Sequence, residues 1–244
     1  MKKSILISIF AVLISSLMAE YTITEPYEFT IQRGSDEWSQ LKRARKIYDA
    51  YQIPEDTLSV MTTEAIIETF IGCRFISYSL GYDDVEGCFG GTCRKVNMYE
   101  EMIYRDDYKV ALIRKYLEIC NTEKPPADSL NSFGVHKTYH FFVKVFGIEM
   151  LLGQPILIEK LSDLEKKNLL AIVNERIQAP LEGSNGYSVY KTGVFYLAHN
   201  LLSGCKEYDT EYNNATFPSI RWAQLKYGQS IIKKYISVAL EEEN

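Results

Sequence analysis

The stretch that decides the fold is YHFFVKVFGIEMLL, Tyr139–Leu152, an apolar run interrupted by His140, Lys144 and Glu149. It is fourteen residues long, whereas a helix needs roughly 20 apolar residues to span a bilayer. We therefore expect Val135–Leu152 to form a buried helix at the centre of the molecule. The segment Gly153–Pro155 then predicts a corner, because proline cannot continue a helix.

Helical spacing of apolar residues continues on both sides of this central helix. It predicts an all-α fold of about eight substantial helices in antiparallel pairs, arranged as a solenoid or as an irregular bundle. The predicted segments are Ser35–Tyr51, Pro54–Val60, Thr62–Leu80, Asn97–Arg105, Asp106–Cys120, Val135–Leu152, Ser162–Pro180, Tyr187–Ser203 and Ser219–Leu240. Residues 35–244 then form a single helical domain.

Local signals fix several helix ends. Ser35 and Thr62 are expected N-caps, and Ser162 with Glu165 matches a capping box. Glycines are expected to end two helices, at Gly81 and Gly204.

Two further segments give specific expectations. On Asp106–Cys120, Val110, Ile113 and Leu117 are expected to face the core, with Leu112, Tyr116 and Ile119 beside them. The polar, acidic segment Lys206–Phe217 is expected to be a mobile loop.

The N-terminus has the three parts of a secretory signal peptide. Lys2 and Lys3 precede the apolar stretch Ile5–Ile14, and Ala19 supplies a small residue for cleavage. Residues 1–19 are thus a predicted signal peptide with cleavage after Ala19, followed by an extended arm over residues 20–34. The protein is expected to be exported to the periplasm or beyond, with no stable membrane anchor after cleavage.

The charge balance disfavours nucleic acid as a partner. The chain has 27 basic and 32 acidic side chains, a net charge of −5, whereas nucleic-acid-binding domains carry basic patches. Loss of the two signal-peptide lysines makes the mature chain more acidic still. Tyrosine is abundant, with 18 residues, and its amphipathic ring suits contact surfaces.

Five segments carry a resemblance to other proteins. They are Trp38–Leu41, Gln52–Asp56, Met61–Thr69, Gly153–Pro155 and Leu161–Glu165. These segments resemble an uncharacterised family of secreted, all-helical proteins of gut bacteria. The likeness covers about half of the chain, and it implies export and an all-helical fold without supplying a catalytic residue.

Five cysteines in an exported chain predict disulfide bonds with one thiol left over. Cys88 and Cys93 enclose two glycines that permit a tight turn, and they are the first candidate pair. Cys73 and Cys120 lie on neighbouring predicted helices and form the second. The Cys-x4-Cys spacing differs from the Cys-x2-Cys of thioredoxin-like sites, so bridging is favoured over a redox role.

No metal or cofactor is predicted. His136 and His140 have the spacing of zinc ligands, with Glu149 as a third candidate, but Lys137 stands where a metalloprotease helix has Glu. The acidic run Asp83, Asp84 and Glu86 lacks the spacing of a calcium loop and is interpreted as solvated.

Two functions remain open at this stage. The first is an exported, non-enzymatic binding module for a protein or glycan partner, favoured because nucleophile-elbow and phosphate-loop motifs are absent from the sequence. The alternative is an exported hydrolase that cleaves a polysaccharide or peptide through an acidic pair. A pocket with converging carboxyl or imidazole groups would favour the hydrolase, whereas a tyrosine-lined groove without them would favour the binding module.

Overall fold

The computed structural model describes residues 22–31, 35–41, 44–73, 76, 87, 91–122, 137–178, 187–215 and 222–241. Over these residues the structure is all-α, as predicted. A short 3-10 helix spans Cys93–Lys95. The α-helices are α1 (Asp36–Ser39), α2 (Ala44–Asp49), α3 (Glu55–Val60), α4 (Thr63–Gly72), α5 (Asn97–Tyr104), α6 (Tyr108–Thr122), α7 (Lys137–Leu152), α8 (Pro155–Ile158), α9 (Asp163–Gln178), α10 (Tyr187–Leu202), α11 (Lys206–Ala215) and α12 (Trp222–Glu241).

Helix α7, which contains the apolar run Tyr139–Leu152, is central as expected. It packs most extensively against α10, and it also contacts α4 and α6. Phe142 and Phe146 of α7 and Phe195 of α10 are almost fully buried. Helix α10 in turn packs on α9 and α12, so the α7–α10 pair joins the two halves of the core.

The packing favours the irregular bundle over the solenoid. In a solenoid each repeat contacts only its neighbours along the chain. Here α5 with α6, α9 with α10, and α11 with α12 do pack as successive pairs. However, α7 packs on α10 and α9 packs on α12, although neither pair is adjacent along the chain.

The predicted caps are confirmed. Ser35 accepts a hydrogen bond from the backbone N–H of Trp38, and Thr62 accepts one from that of Ala65. In the capping box, the backbone N–H of Ser162 donates to Glu165 Oε2 at 2.8 Å, and the N–H of Glu165 donates to Ser162 Oγ at 3.3 Å.

Helix α10 also ends as predicted. Gly204 has φ +99°, the left-handed conformation that favours glycine.

The single helix predicted over Ser35–Tyr51 is wrong. Helix α1 ends at Ser39. The backbone N–H of Leu41 then donates to the carbonyl oxygen of Trp38, three residues earlier, instead of continuing the α-helical pattern. The rings of Trp38 and Tyr51 lie 6.0 Å apart, whereas a continuous helix would separate these residues by about 20 Å. Their contact therefore requires the break.

The helix that begins after Thr62 is shorter than predicted. It ends at Gly72, with Cys73 already in an extended conformation, and does not continue to Gly81. Gly72 is the last helical residue, and glycine is a weak helix former.

The inward face of α6 also differs from the prediction. Val110 is 57% exposed and Leu117 is exposed, whereas Leu112, Tyr116 and Ile119 are buried. Both stripes have helical spacing, so the sequence pattern does not choose between them. The neighbouring helices α4 and α7 decide, because the Tyr116 hydroxyl donates a hydrogen bond to Glu149 of α7.

The segment expected to be a mobile loop is helix α11. Tyr208 and Tyr212, one turn apart, are buried against the core, and Glu211 accepts a hydrogen bond from Tyr235 of α12. Because most residues of this segment are polar, its sequence did not indicate that the rings of Tyr208 and Tyr212 anchor it to the core.

The described part of the arm, residues 22–31, is not helical. Ile23 bonds through its backbone to Val60 and Thr62, which gives one isolated bridge to Met61. The ring of Phe29 packs edge-on against Tyr51 at 5.1 Å.

The predicted signal peptide lies outside the described residues. Within the described residues, no helix combines the length and the apolar character needed to cross a membrane.

Candidate functional site

A groove of about 520 Å³ lies between α5 and the corner that begins α8. This volume falls within the roughly 300–1,000 Å³ of typical ligand sites. The lining combines aromatic, aliphatic and charged side chains. It includes Tyr99, Glu100, Ile103, Tyr104, Gln154 and Ile156.

Helix α5 turns its two tyrosines in different directions. Tyr99 is buried at the floor of the groove, whereas Tyr104, the last residue of α5, is 75% exposed. Arg105 fixes the end of the helix, because its guanidinium donates to the backbone carbonyl oxygens of Leu58 and Met61 at the end of α3. A cation is stabilising at a helix C-terminus, so this contact fixes the end of α5 to the end of α3, next to Tyr104.

The opposite wall begins at the predicted corner. Gln154 is buried, and its amide donates to the carbonyl oxygen of Met150 and to the hydroxyl of Tyr196, both at 3.1 Å. A Cβ at Gly153 would lie 2.5 Å from the Tyr196 ring, so only glycine fits there. This anchored corner presents Ile156, which is 40% exposed, to the groove.

A second concavity, of about 470 Å³, adjoins the groove at Tyr104. Its lining is acidic, with Glu64, Asp106 and Asp107 beside Arg105. Thr63 donates a hydrogen bond to Asp107 at 2.5 Å, which joins the start of α4 to the start of α6. Tyr104 therefore stands between two depressions of different character.

Glu149 of α7 is buried in a polar cluster and lines neither concavity. Its Oε1 accepts hydrogen bonds from Arg176 Nε at 2.9 Å and from the Tyr116 hydroxyl at 3.2 Å. Burial raises the pKa of Glu149, and the Arg176 guanidinium offsets part of this rise. The resulting pKa is about 7. A Cβ at Gly193 would lie 2.4 Å from Oε2. The carboxyl is enclosed by α6, α7, α9 and α10, and it is fully buried, so it holds helices together.

His199 occupies a second buried polar cluster. Its Nδ1 is 2.6 Å from the Tyr208 hydroxyl, and its ring lies 4.5 Å from the Tyr212 ring. Burial lowers the pKa of His199 to about 4, so the ring is neutral at pH 7. This cluster anchors α11 to α10.

Four of the five cysteines, Cys73, Cys93, Cys120 and Cys205, lie within the described residues. Among the described cysteines no disulfide bond is formed. Cys73 and Cys120 are thiols; Cys73 is buried, and Arg176 Nη1 lies 3.5 Å from the Cys120 sulfur. Cys93 is buried at the start of the 3-10 helix. Cys88 lies outside the described residues, so the pairing of Cys88 with Cys93 stays a prediction.

Among the metal-ligand candidates, only the side chain of Glu149 lies within the described residues. His136 and the acidic run 83–86 lie outside the described residues, as does the side chain of His140. Glu149, the third zinc candidate, faces an arginine instead. The described residues contain no cluster of three or more histidine, cysteine or acidic side chains suited to a metal ion.

Sequence reasoning did not single out Tyr104. The available signal was an aromatic residue at a helix end beside three charged residues, Arg105 to Asp107, a setting that places a large ring near solvent.

Comparisons of the chain with protein-family models, curated proteins and solved structures give no match.

Proposed function

We propose that the mature protein is an exported, non-enzymatic binding module that holds a peptide segment of a partner protein in the groove between α5 and α8. Export rests on the signal-peptide pattern of residues 1–19. The observation that carries the binding role is the exposed Tyr104 side chain where the two concavities meet. Tyrosine is favoured at interfaces because its ring supplies apolar area and its hydroxyl a polar contact.

The groove chemistry supports a peptide over a neutral glycan. Ile103 and Ile156 give it an apolar strip, and the exposed Glu100 adds a carboxylate. A peptide can offer an apolar side chain and a complementary charge together, whereas a neutral sugar would cover this carboxylate without a counter-charge. Covering an unpaired charge is unfavourable.

The same lining supports binding better than hydrolysis. Among the described residues of the groove there is one carboxylate, Glu100, whereas glycoside hydrolysis generally uses a pair. Of the three carboxylates in the adjoining concavity, Glu64 pairs with Arg114 and Asp107 accepts a hydrogen bond from Thr63. Glu149 has the raised pKa that a general acid needs, but it is fully buried and bound to Arg176.

Site-specific photo-crosslinking in the source organism tests the proposal. A benzophenone amino acid replaces Tyr104 in one variant and Leu164, which is 68% exposed and lines neither concavity, in the control. We expect a discrete protein adduct in the envelope fraction or the medium from position 104 alone. Equal crosslinking at both positions, or an adduct that glycosidases digest and proteases do not, would contradict the proposal.

A further inference from the structure

The ring of Tyr104 is uncovered on the protein surface. It is 75% exposed, and no described residue gives it a hydrogen bond, a stacked ring or a cation. The face of an aromatic ring carries partial negative charge and attracts a lysine or arginine side chain. Tyr48 and Tyr116, by contrast, are already approached by Lys95 and Arg176 of the same chain.

Two carboxylates near this ring have no counter-charge among the described residues. Glu100 lines the groove and precedes Tyr104 by one helical turn, and Asp106 lines the second concavity. No described cation pairs with either of them. The neighbouring acids are occupied, since Glu64 pairs with Arg114 and Glu101 pairs with Arg105.

The balance of charge around Tyr104 is negative. With Glu64 set against its partner Arg114, the two concavities are lined by three further carboxylates, those of Glu100, Asp106 and Asp107, and by two guanidinium groups. One of these, Arg105, is turned towards backbone carbonyl oxygens of α3. The whole chain is also acidic, with a net charge of −5. Charge complementarity therefore selects a cationic occupant.

We infer that the segment bound at this surface carries lysine or arginine, with one cationic side chain over the Tyr104 ring between Glu100 and Asp106 and an apolar side chain against Ile103 and Ile156. This inference rests on the proposed binding function and narrows it to a basic peptide. An acidic segment would meet like charges. A second copy of this chain would bring its own net negative charge to an acidic surface, which opposes self-association.

Binding of three matched peptides tests the inference. The peptides are GRLKG, the neutral GQLQG and the acidic GELEG, each with blocked ends, titrated into the full mature protein by calorimetry. We expect GRLKG to bind at least tenfold more tightly than GQLQG, with its affinity falling as salt rises because exposed charges are screened. GELEG should bind more weakly than either.

Charge-neutralising variants locate the effect. The double variant Glu100→Gln with Asp106→Asn should reduce GRLKG binding to the level of GQLQG. The control double variant Glu175→Gln with Glu241→Gln removes two exposed carboxylates elsewhere, and it should leave the tenfold preference intact. Tyr104→Ser should weaken all binding at the groove, whereas Leu164→Ser should not.

The outcomes separate this inference from the proposed function. If GQLQG binds as tightly as GRLKG and Tyr104→Ser abolishes both, the cationic inference is overturned and the binding module stands. If both double variants weaken GRLKG equally, only net charge acts, and the inference is again overturned. If no peptide binds in a Tyr104-dependent way, or if a dimer that buries Tyr104 forms instead, both proposals fail.

Discussion

Replacing Glu149 by glutamine removes one charge from the centre of the bundle while keeping the side-chain shape. The amide oxygen can still accept the hydrogen bonds from Arg176 and Tyr116. The second carboxylate oxygen, Oε2, is buried without a hydrogen-bond partner among the described residues. The charged form is therefore poorly solvated, and burial raises the pKa of this carboxyl from 4.5 to about 7.

The sign of the pH effect follows from this shift. Because the folded protein binds the proton more tightly than the unfolded chain, the contribution of Glu149 to the free energy of unfolding is fully present below about pH 4.5. It is lost as the pH rises through about 7. One pKa unit corresponds to about 1.4 kcal/mol, so wild type should lose about 2–3 kcal/mol relative to Glu149→Gln between pH 5 and pH 8. For a chain of this size this corresponds to roughly 4–12 °C in Tm.

Urea unfolding of both proteins at pH 5, 6, 7 and 8 measures this difference. Glu175→Gln, an exposed change on α9, is the matched control and should follow the wild-type pH dependence. Parallel curves for wild type and Glu149→Gln would refute the reasoning. A wild type that gains stability over the variant as pH rises would also refute it, because Arg176 would then outweigh burial.

Three further outcomes are expected. Leu112→Ala should lower the free energy of unfolding in urea by about 2–5 kcal/mol, whereas Val110→Ala should change it by no more than about 0.5 kcal/mol, because only Leu112 is buried. Equal losses of stability would contradict the observed inward face of α6. Gly193→Ala forces a methyl group against the buried Glu149 carboxylate and should lower the free energy of unfolding by about 1–3 kcal/mol. Gly72→Ala, with open space around its Cβ, is the control and should not lower it. An unchanged stability of Gly193→Ala would show that α7 and α10 can move apart without cost. Intact mass of the exported protein should show cleavage after Ala19, and a chain that retains its initiator methionine would contradict export by a cleaved signal.

Local chemistry made much of the fold predictable. The capping box at Ser162, the N-cap at Thr62 and the left-handed Gly204 depend on residues a few positions apart, and the structure has all three. The inward face of α6 and the helix at Lys206–Ala215 depend on partners in other helices. Their sequences contain two possible apolar stripes or a polar majority, so only tertiary packing could decide them.

The candidate site was less accessible from sequence for the same reason. The corner at Gly153 was predicted, but its position opposite Tyr104 depends on the packing of α4, α5 and α7. Glu149 was considered only as a metal ligand, because nothing in the sequence indicates that Arg176, 27 positions later, faces it.

Methyl NMR of the isoleucine-, leucine- and valine-labelled mature protein tests the central claim most directly. The three peptides GRLKG, GQLQG and GELEG are titrated separately. Ile103 and Ile156 report on the groove, and the exposed Leu164 and Val238 report on other surfaces. The account predicts that any peptide that binds shifts the methyl signals of Ile103 and Ile156 and leaves those of Leu164 and Val238 unchanged. Shifts centred on Leu164 or Val238, or none with any of the three peptides, would contradict a binding groove at Tyr104.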